Sequence, residues 1–487
     1  FIEVEFELSK IQLGWSVASL TLTATIAMMV SGPLSDRLGR RPVLKIAAVL
    51  FAISAVASAV APNFLILVIA RMIGGFGVGA ALIIAPMYIA EIAPAETRGR
   101  MVSFNQLNIV LGISVAFFTN YLILSLGQSD AGWSESLRFD EWGWRWMLGI
   151  ETVPAVVYFF ALLFVPESPR WLAMHGRKDE ALQVLESVSG PEQARADLAV
   201  VEESLSSDSV SEEASIKQLF QPAMKLVLTI GLSVAILQQI TGINSVFFYA
   251  PMIFEQSGIG TNASFVQAIL VGVVNLVFTV IAMMLIDKVG RRPLLLVGLT
   301  GITICMLTLS YGFGSARYQL SEGSIAQLPA ELSQTQLVPL TGTVYESDLE
   351  FRSAVSGAIG KAAYQQFESQ LVSAAIQMNS LLILLGILGF VASFAVSLGP
   401  VMWVLFSELF PNQLRGLAIS FVGLVNSGIS FGVQLVFPWE LENLGNSMTF
   451  FIYGMFALVG LIFIVRNLPE TKGASLEELQ SRLVKQK

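Results

Sequence analysis

The chain has 487 residues, 54% of them hydrophobic and only 13% charged, with a formal net charge of −8. That balance describes an integral membrane protein rather than a water-soluble domain. A single cysteine, Cys305, and a single histidine, His175, exclude an intrachain disulfide and leave no basis for a Cys- or His-ligated metal site. No Walker loop and no cluster of nucleophile and base occurs, so the reading is of neither an enzyme nor a cofactor-dependent or nucleic-acid-binding protein.

Apolar spans lie at 11–34, 42–61, 64–92, 101–126, 145–165, 224–254, 263–286, 293–313, 375–405, 417–437 and 448–465, eleven in all. They predict helices, because barrel strands would alternate apolar and polar residues over about ten positions. The first span ends in Ser31-Gly32-Pro33 and runs into Asp36, Arg40 and Arg41. In the third, Arg71 sits several residues deep and is followed by Gly74, Gly75, Gly77 and Gly79. A charge at that depth points to function unless it snorkels to the headgroups. Gln106 is the leading polar candidate of the fourth span, with Asn105 and Asn108 facing other sides of the same helix. Glu151, in the fifth, is the other deep charge, and the two pair if their spans are neighbours.

The hydrophilic stretch 166–221 carries helical spacing at Leu182, Leu185 and Val188 and a second amphipathic run at 197–205. It reads either as a helical linker domain or as a solvated connection. The sixth span then holds Gln238, Gln239, Thr241, Gly242, Asn244 and Ser245 in succession. At about 100° per residue an unbroken helix aims Gln238, Gln239 and Asn244 in separate directions. Unwinding near Gly242 lets them converge, as in the discontinuous helices of transporters. The plainer alternative is that the amides only bond neighbouring helices. Asn275 is a lone deep amide in the seventh span, and 315–372 is a long polar insertion with one helix expected at 353–371 and no function assigned. Pro400 and Trp403 form a break beside an aromatic, and Asn426 and Ser427 add polarity to the tenth span.

The motifs repeat. Asp36-Arg37-Leu-Gly-Arg40-Arg41-Pro42 returns as Asp287-Lys288-Val-Gly-Arg291-Arg292-Pro293. Glu91 and Arg98 return as Glu408 and Arg415 at the same spacing, and Pro166-Glu167-Ser168 returns as Pro469-Glu470-Thr471. Two spans precede the second GRRP turn but one precedes the first, so a further helix is expected ahead of Phe1, giving two halves of six. The expected organisation is an N-terminal transmembrane half (1–165), a linker domain (166–221), a C-terminal half (222–470) with the insertion, and a tail (471–487). Lys and Arg concentrate at the GRRP turns, the E…RG turns and the C-terminus, which the positive-inside rule places in the cytoplasm. Ion pairs on that face are expected to hold the two halves shut.

Together DRLGRRP, RGRMVSFNQ, PESPRWL, QQITGIN, DKVGRRP, GPVMW…SELFP…RG and PETKG resemble the sugar porter family of the major facilitator superfamily. The resemblance implies the all-α major facilitator fold and alternating-access transport of a monosaccharide, hexose or pentose, by a monomer in the plasma membrane. It also implies that Gln106, Gln238, Gln239, Asn244, Asn275, Trp403 and Asn426 contact the sugar and that Phe248 and Tyr249 close over it from outside. Arg40, Arg41, Glu91, Arg98, Glu167, Arg170, Arg291, Arg292, Glu408, Arg415 and Glu470 match the family's cytoplasmic gate. Ile113, Leu398 and Ser427 depart from family positions that carry glutamine or tryptophan. Arg71 matches a residue that pairs with a first-helix aspartate in the proton-coupled members, and Glu151 an acid that the facilitators lack. Proton symport is therefore the expectation, with facilitated diffusion the alternative and a sugar-sensing receptor the alternative of another class. Gln and Asn suit a neutral polyol, since they both donate and accept without charge.

Overall fold

The computed structural model describes residues 2–94, 98–129, 132–208, 216–329, 332, 334–410 and 414–472. Among them are eleven helices long and apolar enough to cross a membrane. Their outward residues are large and apolar, such as Phe164, Val297 and Val459, a surface that fits lipid rather than water. The span boundaries follow the hydropathy closely, with some exceptions. The first helix runs a turn past the expected 34, as Lys10–Leu38 with Pro33 inside it. The fifth span is broken between Gly143–Gly149 and Thr152–Phe164, where Pro154 has no N–H to offer the carbonyl of Ile150. The ninth begins only at Ser380, because Lys361–Ala375 is a helix of the insertion and Ile376–Gln377 a short strand.

The chain divides into two compact units. One comprises 19–109 and 144–216. In it the glycines after Arg71 permit close packing: Gly75 lies against Leu20 and Thr23, and Gly77 against Ala47 and Phe51. Between 169 and 208 the linker forms three helices, Pro169–Met174, Lys178–Ser189 and Pro191–Asp208, packed around Leu172, Ala173, Ala181 and Leu198. The last starts six residues before the expected 197, because proline is well suited to the first turn of a helix.

The other unit comprises 1–18, 110–143 and 217–487. Its core runs through the second-half spans, from Val227 and Ile230 to Phe406, Phe437 and Phe450. The insertion has a core of its own, with Tyr318, Phe351, Tyr364 and Phe367 at its centre. In place of the single helix expected at 353–371 it carries two, Asp348–Ile359 and Lys361–Ala375. Gly360 separates them at φ 88°, a conformation that glycine adopts without strain. A three-stranded sheet, in the order 344–345, 317–319, 376–377, ties the ends of the insertion together.

Candidate sugar site and its supporting ion networks

The sixth span is two helices, Lys225–Ile240 and Ile243–Glu255, separated at Gly242. Gly242 is left-handed, φ 89°, which a residue with a Cβ adopts only at a cost of about 1–2 kcal/mol. The break turns Gln239 and Asn244 toward each other: Asn244 Nδ2 donates to Gln239 Oε1 at 2.7 Å. Asn426, from the Arg415–Asn443 helix, donates to Gln238 Oε1 and to the Ala235 carbonyl, both at 2.8 Å. Gln239 Nε2 reaches Asn426 Oδ1 and Gln238 Oε1, each at 3.2 Å, and Gln238 Nε2 reaches the Leu398 carbonyl at 3.1 Å. Four of the expected sugar contacts thus form one buried network of neutral amides.

Two members had not been singled out from the sequence. Ser430 Oγ accepts from Asn244 at 2.7 Å and from Gln434 at 2.8 Å. Asn426, Ser430 and Gln434 are all buried, and their spacing of four places them on one helix face. That polar stripe was available as a signal.

Asn275 is buried on the Thr261–Val289 helix. Trp403 is about half exposed, with its indole tip 3.9 Å from where a Cβ on Gly423 would lie. Gln106 is exposed and belongs to the other compact unit. The two gate aromatics differ. Phe248 is exposed, whereas Tyr249 is buried with its hydroxyl donating to the Gln434 carbonyl at 3.3 Å. A helix sends adjacent side chains about 100° apart, so the two cannot share one exposed face.

Arg71 and Glu151 fall in the same unit. Arg71 is half-buried, and Glu151 sits at the break before Thr152, exposed on the chain's surface.

At the first GRRP turn, Arg40 binds both oxygens of Glu91 at 2.9 Å and Asp36 at 2.8 Å. Glu167 accepts the backbone N–H groups of Arg40 and Arg41 at 3.0 and 3.2 Å, capping the helix that starts there. The second turn repeats this. Arg291 pairs with Glu408 at 2.7 Å, and Glu470 accepts the N–H groups of Arg291 and Arg292 at 3.0 and 3.1 Å. Arg41 and Arg292 turn their guanidinium groups to the carbonyls of Leu163 and Val465. Arg415 donates to the Phe410 carbonyl at 3.3 Å, and Arg170 is half-buried in the helix after Ser168. These described pairs join elements within one half. Asp36 accepts from Arg40 four residues on. The side chain of Arg98 lies outside the described residues.

The sugar (and other) transporter family matches residues 3–327 and 353–483, leaving 328–352 of the insertion uncovered. The chain is 34% identical over 485 residues to the arabinose–proton symporter of Bacillus subtilis, covering all of this chain and 89% of the relative. It is 36% identical over 493 residues to the D-xylose–proton symporter of Escherichia coli, covering 96% and 86%. The inward-open structure of the E. coli xylose transporter superposes with a TM-score of 0.73 at 33% identity, covering 99% of this chain and 92% of that one.

Proposed function

The chain belongs to the sugar transporter family, and from that premise we propose that it is a proton–sugar symporter whose site is centred on the break at Gly242. The observation that carries this reading is the neutral amide network of Gln238, Gln239, Asn244 and Asn426. Sugar hydroxyls both donate and accept, and each of these amides offers both functions. A sugar entering the network exchanges amide–amide bonds for amide–hydroxyl bonds, so binding is close to balanced and reversible. Asn275 and Trp403 supply a further amide and an aromatic face, and Gln106 serves the same sugar from the first half. Phe248 and Tyr249 act at its outer rim.

Proton coupling rests on Arg71 and Glu151 and on relatives that are named as proton symporters. Arginine stays protonated at accessible pH. Its role is to hold a nearby carboxylate ionised until the conformation changes and the pair weakens. The GRRP turns, the E…RG turns and the C-terminus face the cytoplasm in the plasma membrane. Arg98 and Arg415 close that face, while Arg40–Glu91 and Arg291–Glu408 keep each half rigid as it moves. One chain completes the amide network, so transport requires no second copy.

The test is uptake of labelled D-xylose and arabinose by the full-length protein in vesicles, with and without an inward proton gradient. Gradient-driven accumulation is expected in wild type. Glu151→Gln is expected to abolish accumulation while sparing equilibrium exchange. Sugar uptake by wild type with no alkalinisation of the medium would make the protein a uniporter.

A further inference from the structure

The break at Gly242 is shaped by a neighbour as well as by glycine. Tyr453, buried on the Gly445–Asn467 helix, lays its ring where a side chain at 242 would begin: a Cβ there would stand 2.6 Å from Tyr453 Cε2. The buried hydroxyl of Ser245 neighbours the same phenol. The Tyr453 hydroxyl donates to Glu440 Oε2 at 2.7 Å. Glu440 lies on the Arg415–Asn443 helix, beyond Asn426, Ser430 and Gln434. Phe437, fully buried, lies between the rings of Tyr453 and Tyr249, stacked on the first at 6.1 Å and tilted against the second at 5.4 Å.

Glu440 is half-buried in the last turn of its helix, and a carboxylate withdrawn from water is costly unless it is hydrogen-bonded. Glu440 is remote from Arg71 and Glu151 in sequence and belongs to the other compact unit, so the proton pathway proposed above does not use it. Its described bond is to a phenol whose ring abuts the one backbone position that brings Gln239 and Asn244 together. A phenylalanine would fill the same space but leave the ring free to slide along its helix face.

We propose that Glu440 and Tyr453 are positioning residues for the sugar site. The carboxylate fixes the phenol, the ring fixes the angle between the two half-helices, and that angle holds Gln239 against Asn244. Through Phe437 the same ring backs Tyr249 at the outer rim. This inference rests on the reading that the amide network binds sugar.

The experiment measures equilibrium binding and uptake of D-xylose or arabinose, whichever the wild type binds more tightly, on the full-length protein. Tyr453→Phe and Glu440→Leu are each expected to raise Kd roughly tenfold, the scale of one lost hydrogen bond to a charged group. KM should rise with Kd while the maximal rate changes less. The double variant should be no worse than either single one, because both break the same link. Glu440→Gln keeps an acceptor oxygen and should recover most of the affinity lost in Glu440→Leu. Should Glu440→Leu fail to fold, Glu440→Met has a similar volume, lacks the oxygen and carries the same expectation.

Asn244→Ala separates the two levels of the argument. If it leaves Kd unchanged, the sugar-site reading itself fails. If it raises Kd while Tyr453→Phe and Glu440→Leu do not, only the positioning role is overturned. Loss of gradient-driven accumulation in Glu440→Gln with normal Kd would also overturn it, by making Glu440 a proton carrier.

Discussion

The two halves agree at their turns and differ inside their spans. Arg40 with Glu91, and Arg291 with Glu408, are the same pair in the same place. Glu167 and Glu470 cap corresponding helices. Even the residue after each cap repeats its bond: the Ser168 hydroxyl donates to Glu91 at 2.5 Å and the Thr471 hydroxyl to Glu408 at 2.6 Å. Inside the spans the symmetry ends. The second half carries the Gly242 break and its amides, and the first carries Arg71 and Glu151. The repeated parts set geometry, which both halves need, and the unrepeated parts set chemistry, which is needed once.

The comparison breaks most readily at the turns. Arg40 and Glu91 are about nine-tenths buried, whereas Glu408 is nearer one-quarter exposed. Removing one partner of a buried pair leaves an uncompensated charge and costs about 3–5 kcal/mol. Arg40→Leu is therefore expected to lower the thermal unfolding temperature in detergent strongly, and Arg291→Leu to lower it less. A larger loss from Arg291→Leu would mean that burial does not rank the two turns. No loss from either would mean that the repeat is not a scaffold.

The amide network comes next. Gln239→Ala and Asn244→Ala each delete a hydrogen-bond partner, at about 1–3 kcal/mol, or roughly ten- to a hundredfold in sugar Kd. Thermal stability should move little by comparison, because the remaining amides can bond one another. The contrast is sharp: turn variants lose stability and keep affinity, and network variants do the reverse. A network variant that unfolds while binding sugar normally would place the amides among the scaffold.

A subtler effect is expected at the gate. Arg415→Ala should shift the population toward the state open to the cytoplasm, and Arg98→Ala should do the same. A change of about 1 kcal/mol, the upper end for a surface ion pair, would shift that equilibrium a few-fold. Distances between spin labels on the two cytoplasmic faces would register it. An unchanged distribution in both variants would remove these arginines from the gate.

What the sequence disclosed follows the same division. Spans, turns and repeats were legible because charge, proline and glycine at fixed spacing announce them, and the break at Gly242 because amides on three faces had no other way to meet. Ser430 and Gln434 escaped notice because isolated polar residues four apart are common on membrane helices, where most bond only their neighbours. Glu440 lay beyond the span read at 417–437, whose helix continues to Asn443. The first span, read as 11–34, likewise continues as helix to Leu38. The insertion was opaque because its apolar residues are spread over short helices and strands that no single period describes.

The smallest expected effect on transport lies in that insertion, which is the part least like either half. Lys10, at the start of the first described span, is almost fully buried between Glu3 at 2.6 Å and Glu368 at 3.6 Å. Glu368 also takes Arg352 at 3.1 Å, and Asp348 accepts the backbone and side-chain N–H groups of Asn446 at 3.1 and 3.0 Å. Glu368 thus stands between a first-half helix and an inserted one, a bridge that no repeated motif supplies. Glu368→Gln removes a charge from two cations, but each keeps company: Lys10 retains Glu3, and Arg352 retains the Glu442 carbonyl at 3.5 Å. The loss should fall well short of that in Arg40→Leu, because glutamine keeps an acceptor oxygen and each cation keeps a partner, and should be visible as faster amide hydrogen exchange in Asp348–Ile359 and Lys361–Ala375 with sugar affinity and spans unchanged. If instead the variant lowered sugar affinity as much as Asn244→Ala does, the insertion would belong with the chemistry rather than beside it, and the division drawn from the two halves would not extend to this third region.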